Sequence, residues 1–250
     1  MISYLVATAL LLHVLFWGAG LAVLVAPRPW RHFWPVLAFP AGLALQSAVV
    51  WWGANSGWRG TDSYGLAAEL LPLVLLGGAA WRRGLRGIWI DVTRFGVVWA
   101  TVGGSLLLLV LPSALATKGL TTISLGSCDA ADYAAGGRVL REFACSDRGG
   151  FLGLAEVVRV ASVDNFFDFW LRLNHFTPSA LIALNGTILG CVPHEMTGLL
   201  AAVLLAGTLP LVFWTARAVI GYNGAAGVFV AGLFGINPIN WYAVAHVAPG

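Results

Sequence analysis

The chain has 250 residues, of which 59% are hydrophobic and only 10% are charged, and its mean hydropathy is +0.83. Soluble domains contain about 25% charged residues, so this composition excludes an ordinary soluble protein and predicts an all-α polytopic protein of the lipid bilayer. The net charge of +3 comes from arginines clustered at the ends of apolar runs, where topology signals lie, and we therefore exclude nucleic acid as a partner.

Apolar stretches predict about six transmembrane helices. They cover residues 2–26, 33–52, 66–81, 95–116, 196–216 and 225–242. His13 lies in the middle of the first span, where it either bonds a neighbouring helix or takes part in proton or ligand binding. Gln46 is the other polar group expected near mid-bilayer, whereas Glu69, near the start of the third span, is expected to reach the interface.

Tryptophans mark the predicted ends of the spans, among them Trp52, Trp58 and Trp81. Tryptophan is enriched at both membrane–water interfaces because its ring is amphipathic. These residues are therefore interpreted as an aromatic belt, and a platform that stacks on sugar rings is the alternative.

Arginines predict the orientation of the chain. The loops after the first and third spans contain six arginines, whereas the loop after the second contains only Arg59. Positive residues are retained in the cytoplasm, so residues 117–195 are predicted to lie on the extracytoplasmic face, periplasmic in a bacterial inner membrane. The cytoplasmic arginines are Arg28, Arg31, Arg82, Arg83, Arg86 and Arg94.

The extracytoplasmic loop contains eight of the eleven carboxylates of the chain. Residues 163–176 have helical periodicity and predict a helix that lies in the membrane interface. Its polar stripe is either a solvated face or a row of functional groups. The stripe consists of Asp164, Asp168, Arg172 and His175.

Residues 179–192 form an apolar stretch that contains Asn185. As a helix, these residues would extend about 21 Å, which is short of the roughly 30 Å of the hydrocarbon core. We interpret the stretch as re-entrant or interfacial. The fifth span then places Arg217 on the same side as the other arginines.

Asp129 and Asp132 follow the fourth span closely enough to meet a substrate whose tail stays in the lipid. A carboxylate there would act as a general base on a hydroxyl acceptor, or would bind a divalent cation with its neighbour. The alternative is a structural role, because two acidic residues at the amino terminus of a helix interact favourably with the helix dipole. Cys128 and Cys145 share this loop, which is expected to face an oxidising compartment, and they are candidates for a disulfide. Cys191 is expected to be a buried thiol.

The segment Asp129-Ala-Ala-Asp132-Tyr133-Ala-Ala-Gly-Gly-Arg138 resembles the start of the first extracytoplasmic loop in the GT-C superfamily of polyprenyl-phosphate-sugar-dependent glycosyltransferases. The nearer likeness is to the protein-mannosyltransferase and aminoarabinose-transferase branch. His175-Phe-Thr-Pro178-Ser-Ala-Leu181 resembles the membrane-embedded Pro-Pro-Leu segment of that family. Residues 211–221 resemble its arginine-ended helix, and residues 224–238 resemble the helix that follows.

The resemblance implies a membrane glycosyltransferase, or its amino-terminal portion, with a polyprenyl-phosphate-linked sugar as donor and an acceptor of unknown identity. Asp129 matches the catalytic aspartate, and Asp132 and Tyr133 would lie on the acceptor side. Arg138, Arg172 and His175 would offer positive charge to the donor phosphate. No organic cofactor is implied, and a divalent cation is left open.

The same resemblance divides the chain into two parts. Residues 1–94 are expected to form an N-terminal three-helix membrane module, and residues 95–250 a partial GT-C-like membrane core. The alternative to an enzyme is a non-catalytic assembly subunit or a transporter fragment, whose loop would be a docking surface. A transporter requires polar groups at mid-bilayer in several spans.

Overall fold

The computed structural model of the protein describes residues 1–116, 128–144 and 176–239. Within these ranges the regular elements are ten α-helices and one 3-10 helix. They are α1 (Ile2–Val25), the 3-10 helix (Arg28–Phe33), α2 (Trp34–Asn55), α3 (Thr61–Ala68), α4 (Leu70–Arg83), α5 (Leu85–Arg94), α6 (Gly96–Ala116), α7 (Cys128–Glu142), α8 (Phe176–Leu189), α9 (Pro193–Ala218) and α10 (Gly224–Gly235).

Five helical stretches are long and apolar enough to cross a membrane. Each coincides with one of the first five predicted spans, which confirms the all-α polytopic membrane fold. The stretches are Ile2–Val25, Arg28–Asn55, Thr61–Arg83, Gly96–Leu115 and Pro193–Ala218.

The sixth predicted span, residues 225–242, corresponds to α10, which has 12 residues and ends at Gly235. A helix of this length extends about 18 Å and does not cross the hydrocarbon core by itself. Residues 240–250 lie outside the described part of the chain. The predicted interfacial helix at residues 163–176 also lies outside it, apart from Phe176, with which α8 begins.

The third span is broken at Glu69 into α3 and α4. Pro72 lies in the first turn of α4 and has no backbone N–H to donate to the carbonyl of Ala68, so the helical ladder is interrupted there. The amide of Glu69 instead donates three residues back, to the carbonyl of Leu66, at 3.2 Å. The break places an ionisable side chain inside the span.

The arginines of the predicted cytoplasmic loops gather at one end of the bundle. Arg83 donates to both carboxylate oxygens of the buried Asp91, at 2.9 Å each, and Trp34 donates to the same carboxylate at 3.2 Å. Trp214, one turn before Arg217, contacts Trp30 of the 3-10 helix, with ring centroids 5.7 Å apart. Arg217 therefore lies at this end, which we call the arginine end.

The opposite end is formed by the α2–α3 loop, α7 and the α8–α9 turn. Gly60 approaches the carbonyl of Arg141 so closely that a Cβ at position 60 would overlap it. From the α8–α9 turn, α9 runs the length of the bundle to the arginine end. The short helix α8 has 14 residues and ends at this turn, so it extends about 21 Å from the turn.

α8 is buried in the bundle, and the expectation of an interfacial position for it is wrong. Residues 179–186 are all buried, and α8 packs against α1, α2, α3, α7 and α9. The apolar core joins both halves of the sequence, since Leu10 and Phe39 lie in one cluster with Leu181 and Met196. α8 is therefore the central element of the packing.

α1 and α2 cross at two glycines. A Cβ at Gly42 would overlap the carbonyl of Val14, and a Cβ at Gly18 would overlap the carbonyl of Ala38. Small residues at helix crossings allow membrane helices to pack by direct backbone contact. The position of His13, one residue from Val14, depends on this crossing.

We expect Gly42→Ala to lower the melting temperature of the protein in detergent. The added methyl group forces the helices apart at a cost of about 1–3 kcal/mol, and each kcal/mol corresponds to about 2–4 °C at this chain length. Gly103→Ala in α6 is the matched control, because a Cβ there has no neighbour within 4 Å. Equal melting temperatures for the two variants would contradict the crossing.

Candidate functional site

The sequence-predicted site residues fall mainly on α7, at the end opposite the arginine end. Asp129 lies in the first turn of α7, and Asp132 follows three residues later on an exposed part of the helix. Residues three apart on a helix share a face. The side chains of Cys128 and Asp129 lie outside the described part of the structure, as do Arg172, His175 and Cys145, so the proposed disulfide stays a prediction.

Tyr133 and Arg138 have described surroundings. Tyr133 is half-buried against the core, and its carbonyl oxygen accepts a hydrogen bond of 3.1 Å from the hydroxyl of Ser179 in α8. Arg138 donates to the carboxylate of Glu142 at 2.8 Å across one exposed turn. Since Asp132 and Arg138 are six residues apart, they lie on different faces of α7. The structure brings Tyr133 to the embedded segment but does not bring Arg138 to Asp132.

Arg141 anchors α7 to the bundle. Its Nε atom donates to Asp62 in α3 at 3.0 Å, and its Nη1 atom donates to the carbonyl of Cys191 in the α8–α9 turn at 2.7 Å. The hydroxyl of Thr187 in α8 donates to the same oxygen of Asp62 at 2.8 Å. We call Asp62, Arg141 and Thr187 the Arg141 hub, and it joins α3, α7 and α8.

Cys191 is a buried free thiol, as the sequence indicated. Burial raises the pKa of this thiol, and the nearby carboxylate of Glu195 adds to the rise, while Arg141 acts in the opposite direction. A thiol with a raised pKa is a weak nucleophile near neutral pH. Cys191 is therefore a structural residue of the α8–α9 turn.

A second polar cluster lies inside the bundle and brings together four helical segments. We call it the His13 network. His13 Nδ1 lies 2.6 Å from Asn185 Oδ1, and His13 Nε2 lies 2.9 Å from Glu69 Oε1. Trp17 Nε1 donates to the carboxylate of Glu69 at 3.1 Å. The amide nitrogen of Asn185 donates to Gln46 Oε1 at 2.9 Å.

The donors and acceptors of this network assign the protons of His13. Both hydrogens of the Asn185 amide are used, one by Gln46 and one by the carbonyl of Leu181 at 2.8 Å. Asn185 therefore presents only its oxygen to His13, and His13 Nδ1 must carry a proton. On the other side of the ring, Trp17 Nε1 lies 3.1 Å from both His13 Nε2 and Glu69 Oε1, so its N–H is shared between them.

The His13 network was largely missed from the sequence. Glu69 was expected at the membrane interface, but its side chain is only 17% exposed and pairs with His13, so that expectation is wrong. Asn185 was noted as a polar residue in an apolar stretch, but the sequence did not indicate its partners, which lie 139 and 172 residues away. For His13 the sequence left two interpretations, a bond to a neighbouring helix or a role in proton or ligand binding. The structure shows bonds to neighbouring helices.

Within the described residues, no three side chains of the His, Cys, Asp and Glu types are grouped closely enough to hold a metal ion. Comparison of the chain with protein families, with curated proteins and with solved structures gave no match.

We expect Asn185→Leu to destabilise the protein. Leucine is similar in size but leaves His13 Nδ1 and Gln46 Oε1 without their partners, and an unpartnered buried polar group costs about 1–3 kcal/mol. Asn55→Leu is the control, because Asn55 is exposed and bonds only the carbonyl of Trp51 in its own helix. The melting temperature in detergent is the measurement, and equal losses in both variants would contradict the network.

Nitrogen-15 NMR of labelled histidine tests the proton assignment in the same protein. His13→Asn identifies the His13 signals, and we expect Nδ1 of the parent protein to show the shift of a protonated nitrogen at neutral pH. In Asn185→Leu the preference for this tautomer should be lost. An unprotonated Nδ1 in the parent protein would show that the assignment is wrong.

Proposed function

We propose that this protein is a membrane glycosyltransferase, or the amino-terminal portion of one, that acts at the end opposite the arginine end. The donor would be a sugar linked to polyprenyl phosphate. The order of the elements supports this proposal. The span α6, the surface helix α7 that begins at Cys128-Asp129, the embedded helix α8 and the arginine-ended helix α9 follow one another as in the GT-C pattern.

The observation that carries the proposal is the placement of the first turn of α7. Asp129 lies at the start of α7, which has one exposed face and one face packed against the bundle, and the Arg141 hub attaches the other end of α7 to the bundle. A polyprenyl donor keeps its chain in the lipid and its phosphate at the surface. Asp129 would therefore meet the reacting groups while the chain stays in the bilayer.

In this reaction the carboxylate of Asp129 accepts the proton of the acceptor hydroxyl as its oxygen attacks the anomeric carbon of the donor. The bond between that carbon and the phosphate oxygen breaks, and polyprenyl phosphate leaves with inversion at carbon. Tyr133, held against α8, would line the acceptor side. The guanidinium of Arg138 would bind the phosphate, and the phosphate would compete with Glu142 for it.

The distribution of charge supports a location for the reaction. By the positive-inside rule, the arginine end would lie in the cytoplasm, and α7 would then lie on the extracytoplasmic face. In a bacterium this is the periplasmic face of the inner membrane. The acceptor would be a hydroxyl-bearing molecule or an amino-acid hydroxyl presented at that face.

We expect Asp129→Asn to abolish sugar transfer without loss of the folded protein. Loss of a general base lowers rates by about 10²–10⁴-fold. The assay uses membranes that contain the full-length protein and follows the loss of labelled mannose or aminoarabinose from polyprenyl phosphate. Glu195→Gln is the control, because it removes a carboxylate outside the proposed site while the glutamine side chain can still accept the hydrogen bond from the backbone N–H of Val192. Full activity of Asp129→Asn would exclude this assignment.

The His13 network favours a second candidate function, proton-linked transport. Its ionisable pair joins the first and third spans inside the bundle, and buried ionisable groups in membranes often mark proton pathways. In that case Glu69→Gln would stop the uptake of the transported substrate into proteoliposomes under a pH gradient, whereas Asp129→Asn would not. Proton movement unaffected by Glu69→Gln would leave the network with a role in positioning α8 only.

A further inference from the structure

A groove of about 630 Å³ lies between α2 and the α3–α4 span, near the end opposite the arginine end. This volume lies in the range of about 300–1,000 Å³ that is typical of small-molecule sites. Its lining is aromatic and polar beside the α2–α3 loop, which we call its rim, and apolar along the start of α4, which we call its floor. The residues that matter here are Trp52, Trp58, Arg59, Ser63, Tyr64 and Leu71. We call this site the lateral groove.

The aromatic rim has a defined arrangement. The rings of Trp52 and Trp58 stack at 18° with centroids 6.5 Å apart, and Tyr64 meets Trp58 edge-on at 5.4 Å. Leu70 and Leu71 form part of the floor and are 64% and 36% exposed, so the groove is open along the apolar flank of the span. A molecule there would contact aromatic rings at one end and lipid-facing leucines at the other.

Among the residues that line the groove, Arg59 is the charged one. Arg59 is the only lysine or arginine between Arg31 and Arg82. The carboxylate nearest to it in sequence, Asp62, already accepts hydrogen bonds from Arg141 and Thr187. Within the described residues Arg59 forms no ion pair. Its charge therefore has no counter-ion from this part of the chain.

We propose that the lateral groove binds a membrane phospholipid with a net negative headgroup. The phosphate would accept charge-assisted hydrogen bonds from the guanidinium of Arg59 and a bond from the hydroxyl of Ser63. One acyl chain would lie along Leu70 and Leu71, with the rings of Trp52 and Trp58 at headgroup level, where tryptophan is favoured. This inference goes beyond the proposed glycosyl transfer and does not depend on it.

The two ends of the groove explain why an amphiphile fits it better than a sugar does. A free sugar would use the stacked rings but would leave the leucine floor and the charge of Arg59 without partners. A zwitterionic lipid would fill the floor but would bring its own cation next to Arg59. A lipid that carries phosphate without an amine uses both ends.

Native mass spectrometry of the full chain in detergent tests this assignment, with phosphatidylglycerol, phosphatidylcholine and undecaprenyl phosphate as probes. We expect one phosphatidylglycerol molecule to bind more tightly than the other two lipids. Arg59→Gln should weaken that binding about tenfold and leave phosphatidylcholine binding unchanged. Arg94→Gln, which removes an exposed arginine at the arginine end, is the control and should leave the site intact.

A second variant tests the apolar part of the groove. Leu71→Trp fills the floor and should prevent binding of phosphatidylglycerol at the single tight site, while the melting temperature of the lipid-free protein shows that the fold is retained. Three results would overturn the proposal: equal affinity for phosphatidylglycerol and phosphatidylcholine, unchanged affinity in Arg59→Gln, or a preference for undecaprenyl phosphate.

Discussion

Every polar group inside the bilayer needs a hydrogen-bond partner within the protein, and in this chain the helix that depends most on this requirement is α8. The hydrocarbon core offers no hydrogen bonds, so a polar side chain buried there is costly without a protein partner. Asn185 is fully buried, and it is satisfied by His13 of α1, Gln46 of α2 and its own helix. The first helices of the chain therefore supply the environment in which the short helix is stable.

This dependence defines the structural role of the first 94 residues. From the sequence they read as a separate module ahead of a GT-C-like core. In the structure they share one apolar cluster with α6, α8 and α9, and they provide most of the partners of the His13 network. If α8 contains the embedded segment of a transferase, as we propose, the helices that hold it are α1, α2 and α3.

The Arg141 hub performs a different task at the membrane surface. An exposed ion pair contributes only about 0–1 kcal/mol, so the pair of Arg141 and Asp62 is not a major source of stability. Its guanidinium, however, bonds α3 and the α8–α9 turn at the same time, which fixes the orientation of α7. The same contact brings Gly60 against Arg141, so the rim of the lateral groove and the end of α7 are neighbours. A lipid in the groove would lie beside the carboxy-terminal end of α7, about 18 Å along the helix from Asp129.

The sequence by itself determined the helical membrane fold, the position of five spans and the gathering of the arginines at one end. These features follow from apolar length and charge placement, which are local properties of a chain in a bilayer. Tertiary structure alone decided that Glu69 turns inward, that Asn185 lies at the centre, and that Arg141 joins three helices. Each of these depends on partners at least 50 residues away, and neither periodicity nor spacing specifies which distant residues will meet.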